Sequence, residues 1–462
     1  MMDLGRLVAA LGAAEVVIRA PVEVRDLAYD ARAVAPGAVF FCVPGAQADG
    51  HDFAPEAVER GAVALVVERQ LDLPVPQAVV PDARAAMAVA ADAFFERPTE
   101  TLEVVGVTGT SGKTTTSFLL FAILAAGGRR PGLLGTVEAR VGGERRGVKR
   151  TTPEAIDLQR LFREMLDAGD RSCAMEASSH ASELHRLDRV RFSVLVFTNL
   201  THDHLDFHGD MESYFQAKRR LFLETNPRAA VNVGDEYGRR LAAELPDALT
   251  FGFADDAEVG AQALAGIDVK LRGRFNAENA LGALAAGRLL GIPDDVIARG
   301  IESVRGVPGR FESVDEGQPF AVIVDYAHKP DALENVLRAA RDLAGSGRVI
   351  CVIGAGGNRD RGKRPLMGKR ASELADVTIV TSDNPRSEDP QAIVDEILAG
   401  VTGDVDVELD RAAAIARAIE LAREGDVVLI AGKGAEQGQE LADRTIPFDD
   451  REAARNALGA HA

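Results

Sequence analysis

The chain has 462 residues, 46% of them hydrophobic and 27% charged, which is the balance of an ordinary globular protein with room for roughly three domains of ~150 residues. A formal net charge of −18 argues against a nucleic-acid partner, which needs a basic face, yet leaves room for a local basic pocket. No apolar run reaches the ~18 residues of a membrane span, so no membrane insertion is expected.

The start, Met2 to Val17, has Leu4, Leu7, Val8 and Leu11 at helical spacing, which predicts a small amphipathic helix and no signal peptide. Strand-like runs follow at Ala38–Val43, Ala62–Val67 and Gln77–Val80. Cys42, Cys173 and Cys351 each sit in an apolar run without disulfide or metal spacing, so buried thiols in a reducing cytoplasm are expected. Glu96-Arg97-Pro98-Thr99 and Arg305-Gly306-Val307-Pro308-Gly309 are candidate linkers, which divides the chain into 1–97, 98–304 and 305–462. Between and beyond them, apolar strands alternate with amphipathic helices, the pattern of α/β domains with mostly parallel sheets.

The segment Val104 to Thr116 reads as a buried strand, a glycine-rich turn and a helix start. In such a loop, backbone N–H groups of Gly109, Thr110, Ser111 and Gly112 face a phosphate. Lys113 adds a point charge, the Thr114 hydroxyl can hold Mg²⁺, and Thr115 continues the helix start. Strict phosphate-loop spacing would put glycine at position 107, which is Val107 here, so the loop is of the Gly-Thr-x-Gly-Lys-Thr kind. That departure argues against a phosphate-loop motor or switch.

Thr151-Thr152-Pro153-Glu154 predicts a helix start with Thr152 as N-cap, preceded by the basic run Arg145, Arg146, Lys149 and Arg150. A strand ending at Glu176 leads into Ala177-Ser178-Ser179-His180, and another leads into Thr201-His202-Asp203-His204-Leu205-Asp206-Phe207-His208. Beside a phosphate loop, Glu176 suits Mg²⁺, which takes oxygen ligands; zinc on the His-Asp-His group is the competing reading. Asp210 is expected to cap a helix over 210–223 that places Lys218 on an apolar stripe with Met211, Phe215 and Phe222. Three outcomes are open for Lys218: a snorkelling stem, a carboxylate partner, or a neutral amine that adds CO₂ as a carbamate. Asn276 and Asn279 lie one turn apart, able to read a base edge or, for Asn276, to cap the helix.

In residues 305–462, strands Ala321–Val324, Arg348–Ile353, Val377–Thr381 and Asp426–Ala431 each run into a polar cluster. In an open parallel sheet those clusters converge on one crevice at the carboxyl ends of the strands.

Together these motifs resemble the Mur ligases: Gly109 to Thr115, Met175 to His180, His204 to Gly209, Asp325-Tyr326-Ala327-His328 and Gly432-Lys433-Gly434. Within that family they are similar to the branch that adds the third residue of the peptidoglycan peptide, on the evidence of Ser178-Ser179-His180, Thr151-Thr152 and Asp383-Asn384-Pro385-Arg386. The resemblance implies a UDP-binding N-terminal domain, a central ATPase domain and a C-terminal Rossmann-like domain. It implies that ATP activates a carboxylate of UDP-MurNAc-L-Ala-D-Glu as an acyl phosphate, which the amine of a diamino acid attacks. It further implies ATP and Mg²⁺ as cofactors, a cytoplasmic monomer, and roles in cell shape and division.

By position, the resemblance assigns Lys113, Glu176, Lys218 and His204 to catalysis, with Thr114, Glu176 and carbamylated Lys218 around the metal. Gly109 to Thr115, Asn276, Arg310 and Asp325 are expected at ATP. Tyr29, Ala31, Ala46, Gln47, Ala48, Thr151, Thr152, Ser178 and Arg186 are expected at the UDP-MurNAc-dipeptide. Arg359, Asp383, Asn384, Pro385, Arg386, Gly432 and Glu436 are expected at the amino acid. The Asp-Asn-Pro-Arg motif resembles that of members choosing meso-diaminopimelate, whose distal carboxylate an arginine can fork; lysine has none. The chain departs from the family pattern at Ala46, Leu184 and Ala435, and Ala435 leaves L-lysine or L-ornithine open. A glutamate-to-folate ligase and a catalytically silent scaffold are the competing readings; the first lacks a UDP-binding domain, and the second predicts loss of Lys113, Glu176 or Lys218.

Overall fold

The computed structural model describes residues 2–12, 22–45 and 48–461. Three sheets organise it. The first is a four-stranded parallel sheet of Asp26–Ala28, Ala38–Phe41, Ala64–Val67 and Gln77–Val79, in sequence order. At the start, a helix runs over Leu4–Leu11 with Asp3 as N-cap; the remainder of the expected helix, 13–17, lies outside the described residues.

The central sheet has eight strands, and six of them are parallel: Pro131–Leu134, Ser172–Glu176, Glu103–Thr108, Phe192–Phe197, Arg228–Asn232 and Leu249–Phe251, in spatial order. An antiparallel hairpin, Ala139–Val141 with Glu144–Arg146, extends one edge; the sequence reading did not anticipate it. The strand residues are apolar on both faces, as strands covered by helices on both sides must be. Val105, Val107 and Val196 pack on helices Lys113–Ala126, Arg274–Leu289 and Asp294–Ser303, whereas Val104, Leu195 and Phe197 pack on helices Ala155–Asp167, Met211–Thr225 and Glu236–Glu244. From Glu103–Thr108 the chain first builds the sheet to one side and later to the other. The turn after that strand therefore lies at a topological switch point, where a parallel sheet opens a crevice.

The third sheet runs Glu312–Val314, Ala321–Asp325, Val427–Ala431, Val349–Ile353, Val377–Val380 and Asp406–Val407, parallel except for the first strand. Three helices cover one face and helices Arg411–Leu421 and Asp450–His461 the other. The fully buried Arg411 spans the latter pair: it bonds both carboxylate oxygens of Asp450 at 2.7 Å and the carbonyls of Ser382 and Ala431 at 3.4 and 3.1 Å. One guanidinium thus fixes the ends of two strands from which polar clusters depart.

Two local expectations are corrected. Thr152 is not a helix N-cap: the helix begins at Ala155 with Glu154 before it, and the Thr152 hydroxyl instead donates to Glu176 O at 2.8 Å. Asn276 is not a cap either, because Gly273, at φ 92°, precedes the first helical residue Arg274 and leaves Asn276 inside the first turn. In both places a tertiary partner or a left-handed glycine displaced the local capping rule. Asp210 does cap its helix, accepting from Ser213 N at 2.7 Å.

Candidate active site

The turn after Glu103–Thr108 is shaped by two glycines. Gly109, at φ 147°, passes so close to Thr198 that a Cβ would fall 1.9 Å from its Oγ1, and Gly112, at φ 88°, leaves no room for a Cβ beside Asn279 Oδ1. A side chain at either position would push the turn off the neighbouring strand ends. Thr198 Oγ1 and Asn199 hold Ser111, and Thr110 Oγ1 lies 3.1 Å from Tyr214 Oη.

Three lysine amino groups converge on two carbonyl oxygens of this turn. Lys113 donates to Gly109 O and Thr110 O at 3.0 Å each, Lys218 donates to Gly109 O at 2.9 Å, and Lys329 reaches Thr110 O at 3.3 Å. Burial, reinforced by Lys329, pulls Lys113 down to about 8 from 10.5. Lys218, 1% exposed, lies 4.7 Å from the Tyr214 ring centre, and burial together with Lys113 and Lys329 holds its amine well below the usual lysine range. Its stem does not snorkel, and no carboxylate pairs with it among the described residues. Of the outcomes left open by the sequence, neither the snorkelling stem nor the carboxylate partner is found; the acceptor is a backbone carbonyl, Gly109 O.

Glu176, buried at the end of its strand, accepts from Thr136 N at 2.7 Å, Thr136 Oγ1 at 3.1 Å and Thr114 Oγ1 at 3.0 Å. Arg310, stacked 4.4 Å over the Tyr326 ring, donates to the same Thr114 hydroxyl at 3.0 Å. Asp325 is buried; its carboxylate accepts from Phe311 N and Ala327 N at 2.6 and 2.7 Å, and burial raises its pKa. Asn279 lies against the turn at Gly112 and donates to Asn276 Oδ1 at 3.2 Å.

The oxygen donors suit a hard cation: the Glu176 carboxylate and the Thr114 hydroxyl stand together beside the glycine turn. Among the described residues no three His, Cys, Asp or Glu side chains converge as a metal site. His204, at φ 55°, instead places Nε2 2.8 Å from Asp203 Oδ2 and its ring edge-on to His180 and Tyr214. Burial lowers its pKa and takes that of His180 to about 3 and that of His208 to about 4, so these rings are neutral at pH 7. Burial alone would raise Asp203, but Lys329 and then His204 hold it well below the usual carboxylate range.

A second cluster lies between the first unit and the central one. Buried Glu154 takes Arg84 at 3.1 Å, Arg150 at 2.9 Å and Arg186 at 2.9 Å. Arg186 also donates to Thr152 O at 3.2 Å, and its buried Nε has no partner among the described residues. Ser178 N donates to Thr152 Oγ1 at 3.2 Å, and Thr151 Oγ1 meets Thr136 Oγ1 at 3.0 Å. Tyr29 Oη donates to Asp157 at 2.6 Å across the units. Ala31 is buried in the first unit, Ala48 is exposed, Ala46 and Gln47 lie outside the described residues, and Leu184 closes a short helix after Glu183. Of the basic run, Arg145 and Arg146 sit on the exposed hairpin strand, and the exposed Arg150 pairs with buried Glu154.

The third cluster lies at the strand ends of the third sheet. Asn384 donates to Glu436 at 2.9 Å and accepts from Lys433 Nζ at 2.8 Å. Asp383 lies against Gly432, whose φ is 123°. Pro385 O packs on Gly357. Arg386, at φ 52°, bonds Glu440 through Nε at 2.5 Å and Gly357 O through Nη1 at 2.8 Å; its Nη2 makes no hydrogen bond among the described residues. Arg359 is exposed nearby, with its Cγ close to Gly356. The four clusters do converge: Gly432 N donates to Asp325 O at 3.0 Å and Gly357 N to Asn384 O at 2.9 Å. The crevice meets the phosphate loop through Arg310, Lys329 and a His202–Asp360 contact of 3.4 Å.

Sequence reasoning singled out none of Lys329, Thr136 and Arg84, and read Glu154 only as part of a helix start. Lys329 directly follows Asp325-Tyr326-Ala327-His328, and its charge beside Pro330 was the available signal; Arg84 gave none, since its partner is 70 residues away.

The chain matches the Mur ligase middle domain over residues 107–287, the Mur ligase glutamate ligase domain over 309–434 and the Mur ligase family catalytic domain over 23–105. It is 48% identical, over 95% of its length and 94% of theirs, to a UDP-N-acetylmuramoyl-L-alanyl-D-glutamate–2,6-diaminopimelate ligase of Solibacter usitatus. It is 47% identical to the Geobacillus thermodenitrificans protein of the same name, over 94% of each chain. A solved structure of such a ligase superposes with a TM-score of 0.66 at 30% identity, covering 96% of this chain and 97% of that one. The glycine turn with its lysines, the three α/β units and these likenesses agree: the chain belongs to the Mur ligase family.

Proposed function

We propose that the protein is an ATP-dependent ligase that joins meso-diaminopimelate to the D-Glu of UDP-MurNAc-L-Ala-D-Glu, in peptidoglycan precursor synthesis. The observation that carries the reading is the meeting of two units at one crevice. The side chains of Lys113, Lys218, Lys329 and Arg310 gather about the turn between Thr108 and Lys113, and the polar loops of the third sheet open onto it. The relatives named above support the choice of acceptor and amino acid.

In the first step a D-Glu side-chain carboxylate oxygen attacks the γ-phosphorus of ATP; the new O–P bond forms as the bridging P–O bond breaks and ADP leaves. Two anions must approach, so the residues that lower the barrier are cations. Lys113 and Arg310 face the phosphates, where a fixed charge in a site shielded from water outweighs one in bulk water. Mg²⁺ held by Thr114, Glu176 and carbamylated Lys218 would supply further charge neutralisation. Lys218 suits carbamylation because its amine is buried, poor in protons and free of a carboxylate partner. In the second step the diaminopimelate amine attacks the acyl carbon and inorganic phosphate leaves. His204, a neutral imidazole oriented by Asp203, takes the proton released by the amine.

Thr151, Thr152, Ser178 and Arg186 hold the dipeptide end of the acceptor, with Tyr29, Ala31, Ala48 and the undescribed Ala46 and Gln47 at its UDP end. Asn276, Asn279 and Asp325 line the nucleotide. Arg359, Asp383 to Arg386, Gly432 and Glu436 bind the amino acid, and the open Nη2 of Arg386 suits the distal carboxylate. Domains 1–97, 98–304 and 305–462 then serve acceptor, ATP and amine, each around one sheet; we read the enzyme as a cytoplasmic monomer.

The test is phosphate release from ATP with Mg²⁺ and UDP-MurNAc-L-Ala-D-Glu, offering meso-diaminopimelate, L-lysine and L-ornithine separately. Release with diaminopimelate alone, and a matching tripeptide mass, is expected. Release with lysine or ornithine instead would overturn the amino-acid choice, and release with none would overturn the reaction.

A further inference from the structure

Lys329 has no role in the reaction as described so far. It is the residue before helix Pro330–Ala344, so its backbone is rooted in the third sheet. Its ammonium nevertheless lies against the central unit, 2.6 Å from Asp203 Oδ2 and 3.3 Å from Thr110 O, with the side chain only 10% exposed. Lys113 donates to that same Thr110 oxygen at 3.0 Å. Two ammoniums sharing one acceptor stand within about twice a hydrogen-bond length of each other and repel.

Neither contact satisfies Lys329. An ammonium carries three donors. The bond to Thr110 O is long, and Asp203 Oδ2 has no aligned hydrogen-bond donor although Lys329 and His204 both crowd it. Asp203 thus holds Lys329 by charge alone while keeping His204 as a second partner. An oxyanion lying between Lys113 and Lys329 would turn their repulsion into two charge-assisted hydrogen bonds.

We propose that Lys329 is a further phosphate-binding cation of the nucleotide site, contributed across the crevice by the third domain, and that it leaves Thr110 O for the terminal phosphate of ATP. The seating of the third domain on the phosphate loop is then linked to the presence of that phosphate. The inference rests on the reading that the loop holds ATP.

The experiment is equilibrium binding of a non-hydrolysable ATP analogue and of ADP, with Mg²⁺, to the full chain and to Lys329→Gln and Lys329→Arg. Lys329→Gln should weaken the triphosphate about tenfold and ADP less than about twofold, and Lys329→Arg should keep most of the preference. Equal losses for the two nucleotides, or none, would make Lys329 a structural latch on Asp203 and overturn the proposal. Should the glutamine variant not fold, the unmodified protein decides. Amide exchange at the start of helix Pro330–Ala344 should slow with the triphosphate analogue and not with ADP, and an equal response to both sinks the idea. Failure of the unmodified protein to bind either nucleotide would instead count against the ATP reading itself.

Discussion

At the phosphate loop, Lys113 and Lys218 have no carboxylate within ion-pair distance among the described residues, and Lys329 shares Asp203 with His204. At the strand ends of the third sheet the reverse holds: Arg386 faces Glu440, Lys433 faces Glu436, Arg411 faces Asp450 and Arg364 faces Glu388 and Glu396. Unbalanced buried charge costs stability and persists where an anion is to be bound. Balanced charge costs little and selects a ligand by exchanging partners. The first end should therefore govern whether anything reacts, and the second which amine does.

The largest effect expected from that contrast is at Lys113. Lys113→Met should lower turnover on the order of 10³-fold with every amino acid, while the ligand-free protein melts at a higher temperature because a strained buried ammonium is gone. A lower Tm would break the contrast. Next, Lys218→Ala should lose about 10²-fold, and Lys218→Arg should not restore it, since a guanidinium cannot carry CO₂; full activity in either variant removes the carbamate from the account. Smaller, and different in kind, is Arg386→Ala: a loss of about tenfold to a hundredfold in kcat/KM with diaminopimelate and little change in the weak use of lysine. Equal losses would mean that Arg386 does not read the distal carboxylate.

The smallest effect is on pH dependence. His180 and His208, held at about 3 and about 4, stay neutral in the folded protein while the unfolded chain takes up protons near 6.5. Below pH 6.5 the unfolded state therefore binds more protons, and the stability present above that pH is lost as pH falls towards 4 and 3. His180→Gln should flatten that part of the Tm profile, measured by thermal melts from pH 7 to 4.5.

The strand–turn–helix at Glu103–Ala126 was legible because glycine, lysine and apolar spacing act within a few residues. The convergence of the third sheet's loops was legible for a similar reason: parallel strands put all their carboxyl ends on one edge. What local pattern could not supply is pairing across units. Glu154 looked like part of a helix cap, yet its partners include Arg84 of another unit. Thr152 had the right neighbours for a cap, but the carbonyl of Glu176 competes for its hydroxyl and wins. Lys218 was placed correctly on its stripe, but its choice of partner depended on the backbone of a turn 109 residues earlier.

Glu176 is gripped at both ends: its carboxylate by Thr114 and Thr136, its carbonyl by Thr152. One residue thus touches the scaffolding of both the proposed nucleotide site and the proposed acceptor site. If filling either site alters its grip, linkage makes the influence mutual and equal in free energy. An affinity for nucleotide measured with and without the acceptor then gives, unmeasured, the acceptor's gain from the nucleotide, and a value of zero would show Glu176 to be an inert strut.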